Sequence, residues 1–137
     1  MTIRSSQQLN ASIEAVDRLK KSINCPVNSQ IPKELVDFQI AKIESKISNL
    51  EAKINEYQRL QNTKVSELSI NSFEELLTIP IKYRIAKKIT IDAFSKQVGV
   101  SKRQIIRYEE SDYQNCSIPT FKKILDSIGV RIEGYIL

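Results

Sequence analysis

There is no histidine in this 137-residue chain, and only three glycines, four prolines and two cysteines. Without histidine it lacks the commonest general base and the commonest metal ligand. Cys25 and Cys116 stand far apart with no CxxC pair. Neither a zinc site nor a disulfide framework is expected, and both read as reduced thiols. No apolar run reaches the 18 residues of a membrane span, and residues 1–14 contain no signal-like apolar core. A cytoplasmic protein with no membrane, metal or cofactor is the expectation. A hydrolytic or nucleolytic enzyme fails on the same inventory, since nucleophile elbow, P-loop and well-spaced carboxylate pairs are all missing. The scarcity of glycine and proline instead points to few turns and long regular elements.

What is present is positive charge, unevenly spread. Between Lys82 and Arg107 stand Lys82, Arg84, Lys87, Lys88, Lys96, Lys102, Arg103 and Arg107, opposed only by Asp92. Eight basic side chains against one acid leave a surplus of seven, while the rest of the chain nets −2 of the total +5. Such a block fits a phosphate-binding face. On charge alone it fits a solvated helical surface equally well.

The pattern divides the chain into three zones. Residues 5–23 place Leu9, Ile13, Val16, Leu19 and Ile23 at helical spacing on one side. Residues 24–32, with two prolines and two asparagines, read as a connector. From 33 to 61, Val36, Ile40, Ile43, Ile47, Leu50, Ile54 and Tyr57 recur at alternating steps of four and three. This is an a/d heptad seam, on a helix roughly 40 Å long. Lys46 and Lys53 then fall at g, Glu44 and Glu51 at e, which favours parallel pairing if the helix meets its own copy. An antiparallel hairpin with the first helix, inside one chain, competes evenly. Residues 63–71 alternate and read as a linker or a short strand.

The third zone opens on Ser72 with Glu75 three residues later, a capping box. Pro80 is expected to end or kink that helix and to sit in the first turn of the next. Residues 81–88, 91–98, 102–110 and 118–128 read as four further helices, with Gly129 as the glycine that closes the last. The tail 130–137 alternates in part and reads as a strand or a docking segment.

The informative run is 89–109. Thr90 can cap a short helix with Asp92 in its first turn, and Phe94 and Val98 face inward. Ser95 is small enough for close helix approach. Gly99 supplies the positive φ of a tight turn, and Val100 plugs it. Ser101 caps a second helix anchored by Ile105 with Tyr108 or Ile106. Lys102, Arg103, Gln104 and Arg107 then lie outward.

With this spacing of Thr90, Ala93-Phe94-Ser95, Val98-Gly99-Val100-Ser101, Ile105 and Tyr108-Glu109, the chain resembles the helix-turn-helix regulators of the phage repressor and Cro type, often called XRE, over about residues 73–130. Arg84-Ile85-Ala86, then Gln104-Ile105-Ile106-Arg107-Tyr108-Glu109 and Asp112-Tyr113, is similar to a subgroup with a helical N-terminal extension. Some members of that subgroup look like antitoxins. The resemblance implies a five-helix domain, DNA binding as a dimer, and repression of the protein's own operon. Four positions depart from the family pattern. Phe94-Ser95 replaces leucine-alanine, Lys88 stands where glycine is common, and Ile91 occupies a site where glutamine often touches phosphate.

The expected fold is therefore all-α: a long N-terminal helix, helical hairpin or coiled coil, then a five-helix domain, with a short C-terminal strand left open. The expected division is 1–62 for dimerisation or partner binding, 63–71 as linker, and 72–137 for DNA. In this scheme Lys102, Arg103, Gln104 and Arg107 read bases, while Lys87, Lys88, Thr90, Lys96 and Ser101 hold phosphates. Tyr108 reads as a core residue, and Glu109 as the partner of a basic neighbour such as Arg84. The partners implied are double-stranded operator DNA, a second copy and a cognate toxin. The competing reading is a protein–protein adaptor that no longer binds DNA.

Overall fold

The computed structural model describes residues 3–24 and 30–137. Its helices are α1 (Ser6–Ile23), α2 (Lys33–Asn62), α3 (Phe73–Ala86), α4 (Ile91–Val98), α5 (Lys102–Glu110) and α6 (Ile118–Ile128), with a 3₁₀ turn at Val65–Glu67. Among the described residues there is no strand, and no helix is long and apolar enough to cross a membrane. The chain forms two compact units that divide between Arg59 and Leu60. Part of the expected connector, with Cys25, lies outside the described residues.

In the first unit Ser5 starts α1 by accepting a hydrogen bond from the Gln8 N–H at 3.2 Å. This satisfies one of the amides that a helix start leaves without an intrahelical partner. Lys20 of α1 pairs with Glu51 of α2 at 3.1 Å, so the two helices meet within one chain. Glu51 therefore pairs with Lys20 of its own chain. Val16, Ile47, Ile54 and Tyr57 are buried, while Val36, Ile40, Ile43 and Leu50 are half-buried. Ile13, expected on the inner side of α1, is exposed.

In the second unit α4 packs on α5 and α6, and α3 packs on α6. Phe94, Ile105 and Ile124 are wholly excluded from solvent at the centre of the unit, with Val98, Ile79, Ile85 and Tyr113 nearly so. Burying a side chain of this size contributes about 1.5–3 kcal/mol. Each helix start is capped locally. Ser72, Thr90, Ser101 and Ser117 accept from the N–H of Glu75, Ala93, Gln104 and Thr120. Glu75 reaches back to the Asn71 N–H at 2.7 Å, one residue earlier than in the usual box.

The helices expected on either side of Pro80 are in fact one. Helix α3 runs through Pro80, which is itself fully buried. An interior proline costs about 3 kcal/mol in an isolated helix. Here Leu76, Ile79, Ile81 and Ile85 of the same helix are all buried, and their burial offsets that loss. Four α-helices, rather than five, follow Ser72. The tail after Gly129 forms no strand, and no strand of the described chain lies beside it to complete a ladder.

Candidate nucleic-acid interface

The corner between α4 and α5 is built from residues 95–101. Gly99 takes φ 71°, and its N–H and that of Val100 both donate to the Ser95 carbonyl, at 2.9 and 3.1 Å. An L side chain here would be strained, and its Cβ would meet the Lys123 Nζ at 3.3 Å. The same Lys123 donates to the Gly99 carbonyl at 3.1 Å, tying α6 to the corner. Ser95 is buried and donates to the Asp92 carbonyl at 2.7 Å, which removes its hydroxyl from the interface between helices.

Helix α5 is anchored along one side by Ile105 and Glu109, with Tyr108 half-buried. Tyr108 stacks on Tyr113, ring centroids 5.7 Å apart, and Tyr113 in turn meets Phe121 at 5.8 Å. Ile106 is 39% exposed and plays no part in the anchor. Ile105 and Tyr108 share a face three residues apart, whereas Ile106 is rotated away from it.

The remaining face carries the chemistry. Lys102, Arg103, Gln104 and Arg107 are all exposed. The backbone N–H of Gln104 is taken by the Ser101 hydroxyl at 3.3 Å, while its side chain stays on the outer surface. Ser101 and Thr90 are likewise exposed, and each uses its oxygen to accept a cap bond. The proton of each hydroxyl can still be donated outward.

Lys87 and Lys88 are exposed where α3 ends, and the Lys87 ammonium lies 5.9 Å from the centre of the Tyr83 ring. Lys96 is exposed and paired with Asp92 at 3.3 Å. An ion pair so open to solvent is worth little and can exchange for a phosphate.

One member of the basic block does not belong to the surface. Arg84 is buried and binds Glu109 through Nε and Nη2, both at 2.8 Å, and it also donates to the Ile89 carbonyl at 3.4 Å. Its charge is spent inside, fixing the end of α5 to α3. The outward basic side chains are thus fewer than the linear count.

Three features carry no sequence signal strong enough to have been found. Lys123 reaches a carbonyl 24 residues away, and Gln97 donates to the Tyr83 hydroxyl at 3.0 Å across 14 residues. Asp112 and Tyr113 both adopt positive φ, 52° and 62°. That turn swings the Tyr113 ring into the core, where its hydroxyl has no hydrogen-bond partner among the described residues. Burial pushes the Tyr113 hydroxyl far above its ordinary range, and the nearby Glu109 carboxylate adds to this. Burial also raises the Cys116 thiol, only partly countered by its contact with Tyr108.

Lys88 explains a departure in the sequence. It stands at φ 58°, the left-handed conformation that a glycine adopts without cost. The side chain bears the strain of that conformation.

Among the described residues no group of histidine, cysteine, aspartate or glutamate could hold a metal ion. No curated protein and no solved structure matches the chain. Residues 81–135 match the family model described as Helix-turn-helix, and this part of the chain is a helix-turn-helix domain.

Proposed function

We propose that this protein is a sequence-specific DNA-binding repressor in which α5 enters the major groove. The observation that carries the reading is the free outer face of α5. Lys102, Arg103, Gln104 and Arg107 are solvent-exposed on a helix whose opposite side is locked by Ile105, Glu109 and the Tyr108–Tyr113 stack. Arg103 and Arg107 suit guanine O6 and N7, and Gln104 suits adenine, each bidentate contact discriminating by about 1–3 kcal/mol. Lys102 reads a base beside them. Lys87, Lys88, Thr90, Lys96 and Ser101 hold phosphates, which supplies affinity without sequence information. Ile91 offers no polar group for such a contact.

One such unit covers too little DNA to select a site alone, so the protein acts as a dimer on half-sites about 34 Å apart. Selection of bound fragments from a random duplex pool tests the reading. A symmetric site with that spacing is expected. Absence of binding to any duplex at low salt would instead leave the adaptor role.

In its finer form the protein is an antitoxin that represses its own operon. The separate first unit supports this. Leu35 and Phe38 are exposed three residues apart on the first turns of α2, a spacing by which a helix seats in a partner's groove. Their side lies away from the heptad seam of Val36, Ile40, Ile43, Ile47, Leu50, Ile54 and Tyr57. The seam's half-buried members Val36, Ile40 and Ile43 extend the apolar surface of the same turns. Co-purification with the product of a neighbouring gene, lost in a Leu35→Asp, Phe38→Asp double variant, is the expected result.

A further inference from the structure

Helix α5 carries one side chain that neither its anchor nor its four polar readers account for. Ile106 is 39% exposed, whereas Ile105 beside it is wholly buried. The other large apolar side chains from Ile91 to Tyr108 are buried or half-buried. Isoleucine is a poor choice for an exposed helical turn. Its branched Cβ gives up rotamer freedom there, so lysine, glutamate or alanine suits the helix better. The anchor of α5 is already complete in Ile105, Tyr108 and Glu109.

Its neighbours on the helix surface are charged. Lys102 and Arg103 stand four and three residues before it, and Glu110 four residues after it, so all three adjoin it. Arg107 follows it directly in the chain. These four side chains are exposed. Ile106 is thus an apolar island within the face assigned to base reading, roughly 4.5 Å beyond Arg103 along the helix axis.

The floor of a DNA major groove decides what such an island can meet. Guanine, adenine and cytosine present hydrogen-bonding groups there, and an isoleucine satisfies none of them. Thymine alone presents an apolar group, the methyl on C5. Pressed against guanine O6 or the cytosine amino group, the side chain strips water from a polar atom and returns no hydrogen bond. Against the thymine methyl, two apolar surfaces leave water together.

We infer that Ile106 is a specificity-determining residue that reads thymine through its 5-methyl group, beside the bases met by Arg103 and Arg107. The inference rests on the functional reading above and extends it from hydrogen bonding to an apolar contact. It gives each half-site a thymine that the four polar side chains do not select. The contact touches no phosphate, so it adds discrimination without altering the dependence of affinity on salt.

The test is a methyl scan, with the full chain, of the site recovered from the random duplex pool. Each thymine is replaced in turn by deoxyuridine, which removes the methyl and leaves every hydrogen-bonding group in place. At one thymine in each half-site the unaltered protein is expected to lose about four-fold in affinity, the worth of one buried methyl. In Ile106→Ala the same replacement is expected to change nothing, and in Ile106→Val part of the effect should remain. Affinity for random duplex, its salt slope and the circular dichroism should match the unaltered protein in both variants. A site with no methyl-sensitive thymine overturns the inference while leaving sequence-specific binding intact, and so does a methyl effect that survives in Ile106→Ala. Equal weakening of selected and random duplexes by Ile106→Ala also overturns it, since the side chain then serves the fold of α5. A protein that binds no duplex at low salt overturns both the inference and the reading beneath it.

Discussion

The guanidinium of Arg84 grips the carboxylate of Glu109 through two parallel hydrogen bonds of 2.8 Å, and the two side chains are only 4% and 3% exposed. One residue belongs to α3, the other to the last turn of α5. The pair sets where the outward helix sits against the rest of its unit. Planar, two-point contact of this kind fixes orientation as well as distance, which a lysine at position 84 would not do.

Breaking the pair from one side strands a buried charge. Glu109→Ala is therefore expected to destabilise the protein by about 3–5 kcal/mol, whereas Arg84→Met with Glu109→Leu should lose far less. Urea unfolding of the three proteins checks this. Equal losses in the single and double variants would show that packing, not charge, holds the site.

Arg103→Ala is expected to weaken binding to the selected site by about 1–3 kcal/mol and to relax preference at one base position. Lys87→Ala should weaken all duplexes alike and reduce the slope of log affinity against log salt by about one. Fluorescence anisotropy on specific and random duplexes at several salt concentrations separates the two roles.

Lys88 links strain and function. Lys88→Gly removes a side chain from a left-handed residue and is expected to raise stability by about 0.5–1 kcal/mol after the entropic cost of glycine. The same change should weaken binding to any duplex, because a phosphate contact is lost. Thermal unfolding and anisotropy on one preparation read both effects, with opposite signs.

Tyr113 predicts an alkaline limit. Its hydroxyl is held neutral in the fold far above the ordinary value near 10, so folding gains nothing from it below that pH. Above pH 10 the unfolded chain can release the proton and the folded one cannot, so stability falls as pH rises further. Cys116, raised from 9.0, begins a smaller fall in the same direction. Tyr113→Phe should flatten the decline. It should also leave stability at neutral pH unchanged or higher, since a buried hydroxyl without a partner is removed. Unfolding curves between pH 8 and 11 provide the comparison.

Much of the local geometry of the second unit could be read from residues alone because it depends on neighbours within one turn. Serine or threonine three residues before an amide, at Ser72, Thr90 and Ser101, caps a helix wherever the chain goes next. Gly99 and Gly129 mark left-handed corners for the same local reason. The pairing of Glu109 with a basic neighbour such as Arg84 was expected too, and the structure makes it.

What those residues could not decide depended on burial. Pro80 is a helix breaker by local chemistry, and only the packing of α3 on α6 keeps the helix running through it. Ile105 and Ile106 are equal in hydropathy, yet one is wholly buried and the other is not, because the rotation of α5 is set by its contacts with α4 and by Glu109. Arg84 counts as surface charge in a linear tally and is interior in three dimensions. Short-range geometry, carried by hydrogen bonds within three or four residues, was written in the order of amino acids. Which faces meet, and which charges are left for a partner, was settled only when distant apolar groups were withdrawn from water together.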